Sequence, residues 1–223
     1  MIVDSFSTDG TIDICKKFDT KIFQRKFQGY GEQKQFLVSK CTHDWILSVD
    51  ADELLSDALI LEIQTEFSKK TLPFDAYYLK RKHIYLGKTF RYGKLKNEAV
   101  LRLFNTSKSA FTSDKVHEKV ICSGTIGKLK QPMFHYTATS KEQIMHKKIR
   151  YATLSSEEYF EKGRRINLLG MLLKYPIVFI KEYLIHLNFL NGYEGYIWSK
   201  YMAEYSTLKY FKLREKIRET KRG

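Results

Sequence analysis

The chain has 223 residues, a length that suits one domain or one domain with an appendage. Hydrophobic residues make up 43% of it, which is enough for a sizeable core and excludes wholesale disorder. The formal net charge of +14 favours an anionic partner, such as a nucleic acid, an acidic membrane surface or a substrate that carries phosphate. Three scattered cysteines without a Cys-x-x-Cys pair argue against a disulfide scaffold and for a reducing compartment.

The first half of the sequence alternates short strands with helices. Apolar spacing and turn residues predict strands over residues 1–3, 21–27, 45–49, 76–85 and 100–104, and helices over 11–18, 32–40 and 57–69. Ser56 is the expected N-cap of the helix that begins at residue 57. The region 111–133 is predicted to be turn-rich with short extended pieces. Alternation of this kind predicts an α/β fold, with a parallel or mixed sheet covered by helices on both faces.

Two aspartates follow the short apolar strand predicted over residues 45–49. Asp50 and Asp52 are two residues apart, and side chains at this spacing point the same way in an extended backbone. Carboxylates so placed suit a hard cation such as Mg²⁺, which also keeps waters and phosphate oxygens as ligands. Such a metal ion could bridge a diphosphate and neutralise its charge as it leaves. The alternative is an ordinary Asp-x-Asp pair on a solvated loop.

Two segments resemble signatures of family 2 glycosyltransferases. Residues 3–11 read VDSFSTDGT and resemble the family's VDSGSTDGT, and residues 45–53 read WILSVDADE and resemble W-x-L-x-x-DADE. The order and spacing of the two segments also match. Further blocks resemble the lipopolysaccharide core β-1,4-glucosyltransferase subgroup, and these are GYGEQK at 29–34, LRLF at 101–104, VHE at 116–118 and FHY at 134–136.

The resemblance implies a GT-A fold that binds a nucleotide-diphospho-sugar. It implies that Asp4 contacts the nucleotide base, and that Asp50 and Asp52 hold the ribose and a diphosphate-bound Mg²⁺ or Mn²⁺. Loop aspartates also commonly make turns with their own backbone, which is the alternative for Asp4 and the better account of Asp9. Phe6 stands where a small residue, often glycine, is usual. The family's first strand, its nucleotide-contacting loop and the following helix are missing before residue 1, so we expect an N-terminally truncated chain, or a defective paralogue.

Family 2 enzymes invert the anomeric centre, and direct displacement requires a base that removes the acceptor hydroxyl proton. Glu118 is the first candidate for this base and His117 is the second. His135 could complete the metal shell or steady the diphosphate, although a histidine beside aromatic residues is more often a partly buried structural one. Lys34 and Arg102 could contact the phosphates, with a solvated surface cation as the simpler interpretation of each.

The last third of the chain is helical in pattern and basic. From residue 141 onward it holds 17 Lys+Arg and 9 Asp+Glu, a net charge of +8. Between residues 166 and 190 most positions are apolar, and Pro176 is expected to kink the helix or to begin a second one. Four polar residues spaced by seven predict a narrow stripe on this helix, namely Asn167, Lys174, Lys181 and Asn188. Basic flanks beside a broad apolar face suit a helix in a bilayer interface, and the alternative is a core or dimer helix.

Together these features predict a catalytic domain over residues 1–140 and a helical, membrane-associating region over residues 141–223. No signal peptide and no apolar run of about 18 residues occurs, so we expect a cytoplasmic protein, peripheral on the inner face of the plasma membrane. The subgroup resemblance implies transfer of glucose from UDP-glucose to a lipid-linked glycan, a core heptose of lipopolysaccharide.

Two other interpretations stay open at this point. A nucleic-acid-binding protein would suit the charge and the 14% aromatic residues, but no helix-turn-helix, RRM, KH or zinc signature occurs, so no nucleic acid is expected as partner. A catalytically inactive remnant of a transferase is the second alternative.

Overall fold

The computed structural model describes residues 1–112 and 118–220, which form a mixed α/β structure. The strands are β1 (Ile2–Asp4), β2 (Ile22–Gln24), β3 (Trp45–Leu47), β4 (Glu53–Leu55), β5 (Ala76–Tyr85), β6 (Lys88–Thr89), β7 (Glu98–Asn105), β8 (Ser109–Phe111), β9 (Val120–Cys122) and β10 (Ile126–Ala138). The α-helices are α1 (Thr11–Cys15), α2 (Tyr30–Val38), α3 (Asp57–Phe67), α4 (Lys141–Glu161), α5 (Leu168–Leu172), α6 (Lys174–Ile180) and α7 (Tyr193–Thr220). A π-helical turn (Lys181–Ile185) and a 3₁₀ turn (Asn188–Asn191) lie between α6 and α7.

Parallel and antiparallel pairs both occur in the sheets. In the largest sheet the strands are ordered β3-β7-β5-β10-β4, with β6 paired to β5. Strand β3 runs antiparallel to β7, with Trp45 opposite Asn105. Strands β1 and β2 form a parallel pair with α1 between them in sequence, and β8 and β9 form an antiparallel pair. The predicted α/β class with a mixed sheet is therefore confirmed.

Side-chain caps explain where two of the helices begin. The Ser56 hydroxyl accepts a hydrogen bond of 3.1 Å from the Leu59 amide at the start of α3, as the sequence predicted. Ser140 accepts a bond of 3.2 Å from the Gln143 amide at the start of α4 in the same way. Each cap satisfies one of the amides that the first turn of a helix leaves without a partner, and is worth about 1 kcal/mol.

The chain groups into two compact units, each assembled from three segments of sequence. The first unit comprises Met1–Ala51, Leu55–Lys80 and Ala99–Met133, and the second comprises Asp52–Leu54, Arg81–Glu98 and Phe134–Gly223. The largest core cluster of the first unit consists of Leu59, Tyr77, Leu79, Leu103, Leu129 and Met133. Burial of one such side chain contributes roughly 1.5–3 kcal/mol, so this cluster holds α3 to the strands.

The second unit has its own core and a long helix pair. Its buried cluster consists of Tyr85, Phe90, Leu95 and Ala138, with Trp198 of α7 packed against it. Helices α4 and α7 are joined by a salt bridge of 2.6 Å from Lys148 to Glu204, and the hydroxyls of Ser155 and Tyr205 lie 2.9 Å apart. These polar contacts supplement the apolar packing that holds the two helices together.

Strand β10 corrects the prediction of a turn-rich segment up to residue 133. It runs from Ile126 to Ala138 as one strand, and Gly127, Leu129 and Met133 are buried while the intervening lysines are exposed. Residues 127–130 therefore show the period-two alternation of a strand with one covered face, and the exposed Gln131 ends it. Pro132 hides the pattern because proline is rare inside sheets, yet its carbonyl here accepts a 2.7 Å bond from Ser56.

The sequence left two outcomes open at Pro176, a kink or a second helix, and the second helix is confirmed, because residues 166–190 divide into shorter helical pieces. Helix α5 ends at Leu172, and α6 places Pro176 in its first turn, where proline removes no helical hydrogen bond. The predicted polar stripe is wrong, because Asn188 is fully buried and donates a 2.8 Å bond to the Glu182 carbonyl. Among the helices that the structure describes, none is both long and apolar enough to cross a membrane.

Candidate functional site

The loop after β1 holds Asp4, the predicted contact of the nucleotide base. Asp4 is 5% exposed, and its carboxylate accepts bonds from the Ser7 hydroxyl at 2.5 Å and the Ser7 amide at 3.1 Å, and from Gln24 at 3.4 Å. The hydroxyl bond is the largest effect on the pKa of Asp4 and lowers it below its usual value. Asp4 thus closes its own turn, and Asp9 does the same by accepting a 3.0 Å bond from the Thr11 amide.

Two further residues shape this loop. Phe6 has a φ of 64°, a left-handed conformation that glycine adopts without strain, which explains why a glycine is usual at this position of the signature. Gln33 of α2 donates 3.0 Å bonds to the Ser5 hydroxyl and to the Arg25 carbonyl. Sequence reasoning missed Gln33, although it lies in the quoted GYGEQK block.

Asp50 lies in a cluster of charged side chains within the first unit. Arg102 of β7 approaches its Oδ2 at 2.5 Å, and Lys34 of α2 approaches its Oδ1 at 2.7 Å. Burial raises the pKa of Asp50, but the positive charges of Arg102 and Lys34 outweigh burial and lower it below the usual value. Since only 16% of the Lys34 side chain and 8% of the Arg102 side chain are exposed, neither is a solvated surface cation. Both hold Asp50 as an anion that could accept bonds from ligand hydroxyls.

Glu118, the first candidate for the base, belongs to the same cluster. Its Oε1 lies 2.7 Å from the Lys34 Nζ, so Lys34 links the carboxylates of Glu118 and Asp50. Only 14% of the Glu118 side chain is exposed, which fits a fixed position better than a mobile surface residue. His117, the second candidate, lies outside the described residues.

Asp52 has different partners, all within the second unit. Its Oδ2 lies 3.2 Å from the His135 Nε2 of β10 and 3.5 Å from the Lys147 Nζ of α4. Burial opposes ionisation, but His135 and Lys147 outweigh it and lower the pKa of Asp52 to about 2. Strand β3 ends at Leu47, and Asp52 lies in a turn, so the expected extended geometry of the Asp-x-Asp pair is wrong. The structure places Asp52 and His135, two of the candidate site residues, next to each other and adds Lys147.

His135 also contacts a largely buried hydrogen-bond network that the sequence did not predict. His83 of β5 is 4% exposed, with its Nε2 2.9 Å from the Glu98 Oε2 and its Nδ1 3.1 Å from the His135 Nδ1. Thr137 places its hydroxyl 2.8 Å from the same Nδ1 of His83. Burial lowers the pKa of His83. The hydrogen bond from His83 is the largest of the effects that lower the pKa of Glu98 to about 2. A neutral His83 therefore faces an ionised Glu98.

This network assigns the tautomer of His83 and constrains that of His135. An ionised Glu98 only accepts, so the His83 Nε2 carries the proton and its Nδ1 is an acceptor. If the His135 Nδ1, rather than the Thr137 hydroxyl, donates to that acceptor, the Nε2 of a neutral His135 presents its lone pair to the Asp52 carboxylate. Two acceptors 3.2 Å apart require a positive charge between them, either a proton on His135 or a metal ion.

The donor chemistry of Asp52 and His135 fits a divalent cation that is also bound by a substrate. One carboxylate and one neutral imidazole, whose second nitrogen donates to a buried partner, is a recurrent ligand arrangement in proteins. No cluster of three or more His, Cys, Asp or Glu side chains suited to a metal occurs in residues 1–112 and 118–220. Mg²⁺ in proteins usually takes phosphate oxygens and water as its remaining ligands.

Comparisons with known proteins agree with these motifs. Residues 1–127 match the family model described as glycosyl transferase family 2. An uncharacterized glycosyltransferase of Rickettsia typhi is 30% identical over 227 residues, covering 96% of this chain and 77% of that protein. The lipopolysaccharide core biosynthesis glycosyltransferase LpsC of Rhizobium meliloti is 26% identical, covering 93% of this chain and 79% of that protein.

Among solved structures, the crystal structure of S. aureus TarS 1–349 is similar with a TM-score of 0.44 at 13% identity, covering 98% of this chain and 82% of that one. The complex of TarS 1–349 with UDP gives a TM-score of 0.41 at 14% identity. Both mark a loose similarity. The family model, in contrast, matches more than half of the chain and includes Asp4, Asp50 and Asp52. This chain belongs to glycosyl transferase family 2.

Proposed function

We propose that the chain is an inverting, metal-dependent hexosyltransferase, which moves glucose from UDP-glucose to a lipid-linked saccharide such as the inner core of lipopolysaccharide. Membership of family 2 supports a nucleotide-sugar donor. The name of LpsC supports a core saccharide as acceptor. The observation that carries the proposal is the pair Asp50 and Asp52, because each carboxylate of this family motif has cationic partners of its own: Lys34 and Arg102 for Asp50, and Lys147 for Asp52.

The two aspartates would divide the work of donor binding. Asp50, held between Lys34 and Arg102, would accept hydrogen bonds from the ribose hydroxyls. Asp52 and His135 would hold Mg²⁺ or Mn²⁺, which when bound supplies positive charge to the diphosphate leaving group. Lys147, 3.5 Å from Asp52, carries a further positive charge that could face the same phosphates.

Glu118 is the base in this proposal. The acceptor hydroxyl oxygen attacks the anomeric carbon, its proton passes to the Glu118 carboxylate, and the bond from that carbon to the phosphate oxygen breaks with inversion. The nucleoside diphosphate leaves with the electron pair of the broken bond. Lys34 supports this role because it fixes the Oε1 of Glu118 at 2.7 Å and ties it to Asp50.

The variant Glu118→Gln tests the role of the base. It keeps the shape of the side chain but cannot take up the proton, so transfer should fall by about 10²–10⁴-fold while UDP-glucose binding is retained. A radiometric transfer assay and a calorimetric titration with UDP-glucose measure the two effects separately. Glu66→Gln, which changes a carboxylate bonded to Tyr77 and Lys69, is the matched control. Near-normal turnover in Glu118→Gln would remove Glu118 from this role.

Donor binding separates the transferase from its two alternatives. UDP-glucose with Mn²⁺ should raise the melting temperature of the full chain, because a ligand at 100 times its Kd stabilises the folded state by about 2.7 kcal/mol. Asp52→Asn should lose the Mn²⁺-dependent part of that rise. A chain that ignores every nucleotide-sugar but shifts with single-stranded RNA or DNA would be a nucleic-acid-binding protein, and one that responds to neither would be an inactive remnant.

We further propose that the chain works on the cytoplasmic face of a membrane, bound through an apolar surface of the second unit. Consecutive elements from α5 to the 3₁₀ turn expose an unusual number of large apolar side chains. They are Leu168, Leu169, Leu172, Leu173, Ile177, Ile180, Leu184, Ile185, Leu187, Phe189 and Leu190. Residues 162–181 also hold five Lys or Arg and no Asp or Glu. An exposed apolar surface with basic neighbours suits the interface of an anionic bilayer.

Vesicle co-sedimentation tests the membrane proposal. The full chain should bind phosphatidylglycerol vesicles, less so at high salt, and Leu169→Ser with Ile185→Ser should abolish binding. Ile121→Ser is a matched control, since Ile121 in the first unit is 63% exposed and Leu169 is 64% exposed. Arg164→Gln with Arg165→Gln should weaken binding, each charge being worth about 1 kcal/mol. A chain that ignores these vesicles at low salt, or that buries the surface in a dimer by sedimentation, would contradict the proposal.

A further inference from the structure

Three cations of the second unit converge on two neighbouring tyrosine rings. Tyr159, near the end of α4, and Tyr210 of α7 have their ring centroids 5.7 Å apart. The Arg164 guanidinium carbon lies 4.5 Å from the centre of the Tyr159 ring. The Lys174 Nζ lies 5.0 Å from the centre of the Tyr210 ring. Lys209 contacts both rings, with its Nζ 4.4 Å from the first centre and 5.3 Å from the second. Attraction of each cation to a ring face thus gathers three positive charges in one place.

No carboxylate balances these charges within residues 1–112 and 118–220, because none forms a salt bridge with Arg164, Lys174 or Lys209. Other lysines take the carboxylates of α4 and α7, in the pairs Glu157–Lys216, Glu158–Lys162 and Glu204–Lys148. Burial raises the pKa of the Tyr159 hydroxyl, but a 3.2 Å hydrogen bond from Lys209 and the charges of Lys209 and Arg164 outweigh burial and lower it. Like charges gathered in this way repel each other, so a bound anion would stabilise the cluster.

The cluster borders the apolar surface that is proposed to contact the membrane. Arg164 is exposed, and Lys174 and Lys209 are half-buried, so all three residues keep accessible surface. Arg164 lies shortly before α5, and Lys174 is the first residue of α6. These two helices begin the exposed apolar surface, with Leu168, Leu169, Leu172 and Leu173. Headgroup phosphates lie just outside the acyl chains of a bilayer, so apolar side chains in the interface bring adjacent cations to the level of the phosphates.

We propose that Arg164, Lys174 and Lys209 bind the phosphomonoester group of a lipid headgroup. The inference rests on the membrane binding proposed above and adds a preference for one class of lipid. A phosphomonoester carries about 1.5–2 negative charges at pH 7 and three oxygens that accept hydrogen bonds, which matches three cations. The phosphodiester of phosphatidylglycerol carries a single negative charge and has fewer free oxygens, so it neutralises less of the cluster.

Vesicles of matched charge test this preference with the full chain at low salt. One set contains phosphatidic acid, and the other contains phosphatidylglycerol at the same measured surface potential. The wild type should bind the phosphatidic acid vesicles about tenfold more tightly, because hydrogen bonds between charged groups add to the attraction of the surface. Arg164→Gln should reduce this preference to within about twofold. Arg165→Gln removes the same charge from the exposed neighbouring residue, which is not part of the cluster, and should keep the preference.

A purely structural role of the cations would give a different result. If they only hold the tyrosine rings, Arg164→Gln lowers the melting temperature and leaves the preference for phosphatidic acid unchanged, which would overturn the proposal. Lys209 also lies 5.4 Å from the centre of the Tyr205 ring, so its replacement can unfold the chain. Lys174→Gln is therefore the second test variant and should also lose the preference, with Lys181→Gln as its matched control at an exposed position.

Free phosphate is the other source of the same chemistry. Millimolar inorganic phosphate should leave the melting temperature of the lipid-free chain the same as chloride of equal ionic strength does, because a free anion lacks the apolar contacts of a lipid. A rise that Arg164→Gln abolishes would assign the cluster to a soluble phosphate and overturn the lipid assignment.

Failure of the phosphate site is distinct from failure of membrane binding. A wild-type chain that binds both kinds of vesicle equally, less so at high salt, would remove the phosphate site and leave membrane binding standing. A chain that binds neither would remove both, while transfer of glucose to a soluble acceptor would still support the proposed transferase.

Discussion

The hydrogen-bond network behind His135 predicts that Glu98 controls the affinity of the Asp52 site for a divalent cation. Glu98 accepts bonds from His83 at 2.9 Å and from Arg81 at 2.6 and 3.1 Å. In Glu98→Ala the buried His83 Nε2 loses its acceptor, so His83 can move its proton to Nδ1. The protonated His83 Nδ1 would then donate to the His135 Nδ1. The proton of His135 would consequently lie on its Nε2, which faces Asp52. The lone pair that would bind the ion is thereby lost.

The expected size of this effect follows from the contacts. Mutation of a residue that orients a metal-binding histidine typically lowers metal affinity about 10- to 100-fold, or roughly 1.4–2.7 kcal/mol. Loss of an acceptor for a buried donor costs about 1–3 kcal/mol of stability. The lower half of that range is expected, because 43% of the Glu98 side chain is exposed and Arg81 retains its 2.9 Å contact with Glu53. The cation affinity should therefore change more than the stability.

Calorimetric titration of Mn²⁺ into the full chain with UDP present measures the affinity, and urea unfolding measures the stability. Glu98→Gln should largely restore Mn²⁺ binding, since its amide oxygen can still accept from the His83 Nε2. Glu66→Ala is the control, as it removes a carboxylate bonded to Tyr77 in the first unit and should leave Mn²⁺ binding unchanged. The reasoning is refuted if Glu98→Ala binds Mn²⁺ within twofold of the wild type while Asp52→Asn does not bind it.

Two predictions concern stability alone and are measured by urea unfolding. Phe6→Gly should raise stability by up to about 1 kcal/mol, because relief of left-handed strain at φ 64° exceeds the entropy cost of glycine, and a clear loss would contradict this. Gly195→Ala should cost about 2 kcal/mol or more despite the better helix propensity of alanine, because the new Cβ would lie 1.9 Å from the Asn188 carbonyl oxygen. Gly10→Ala, where no atom lies within 4 Å, should change stability by less than about 1 kcal/mol, and equal losses at the two glycines would argue against the close approach.

Much of the α/β framework could be predicted from local patterns. The cap at Ser56 and the strand from Ala76 to Tyr85 were read correctly because both depend on neighbours in sequence. The turn that Asp9 makes with Thr11 is also local. Strand β10 was missed because Gln131 interrupts its alternation and Pro132 is unusual in a strand, and only pairing with other strands makes an extended backbone stable there.

The C-terminal region shows where local pattern fails. Pro176 indicated a kink or a second helix, but nothing in the apolar spacing between residues 166 and 190 places the break after Leu172 or the change to a π-helical turn after Ile180. These interruptions accompany the burial of Glu182 and of Asn188, and the sequence had placed Asn188 on the polar stripe. Burial of an amide requires a hydrogen-bond partner, and the Glu182 carbonyl supplies it only when the helix is interrupted.

The sequence by itself determined the family and the aspartates on which the candidate site depends, because the order of side chains in a motif is a property of the chain. The tertiary structure alone decided their partners. Asp50 meets Lys34 and Arg102, separated from it by 16 and 52 residues, and His83 meets Glu98 and His135 from other strands. Such contacts form when strands distant in sequence pair in one register, which no local periodicity encodes.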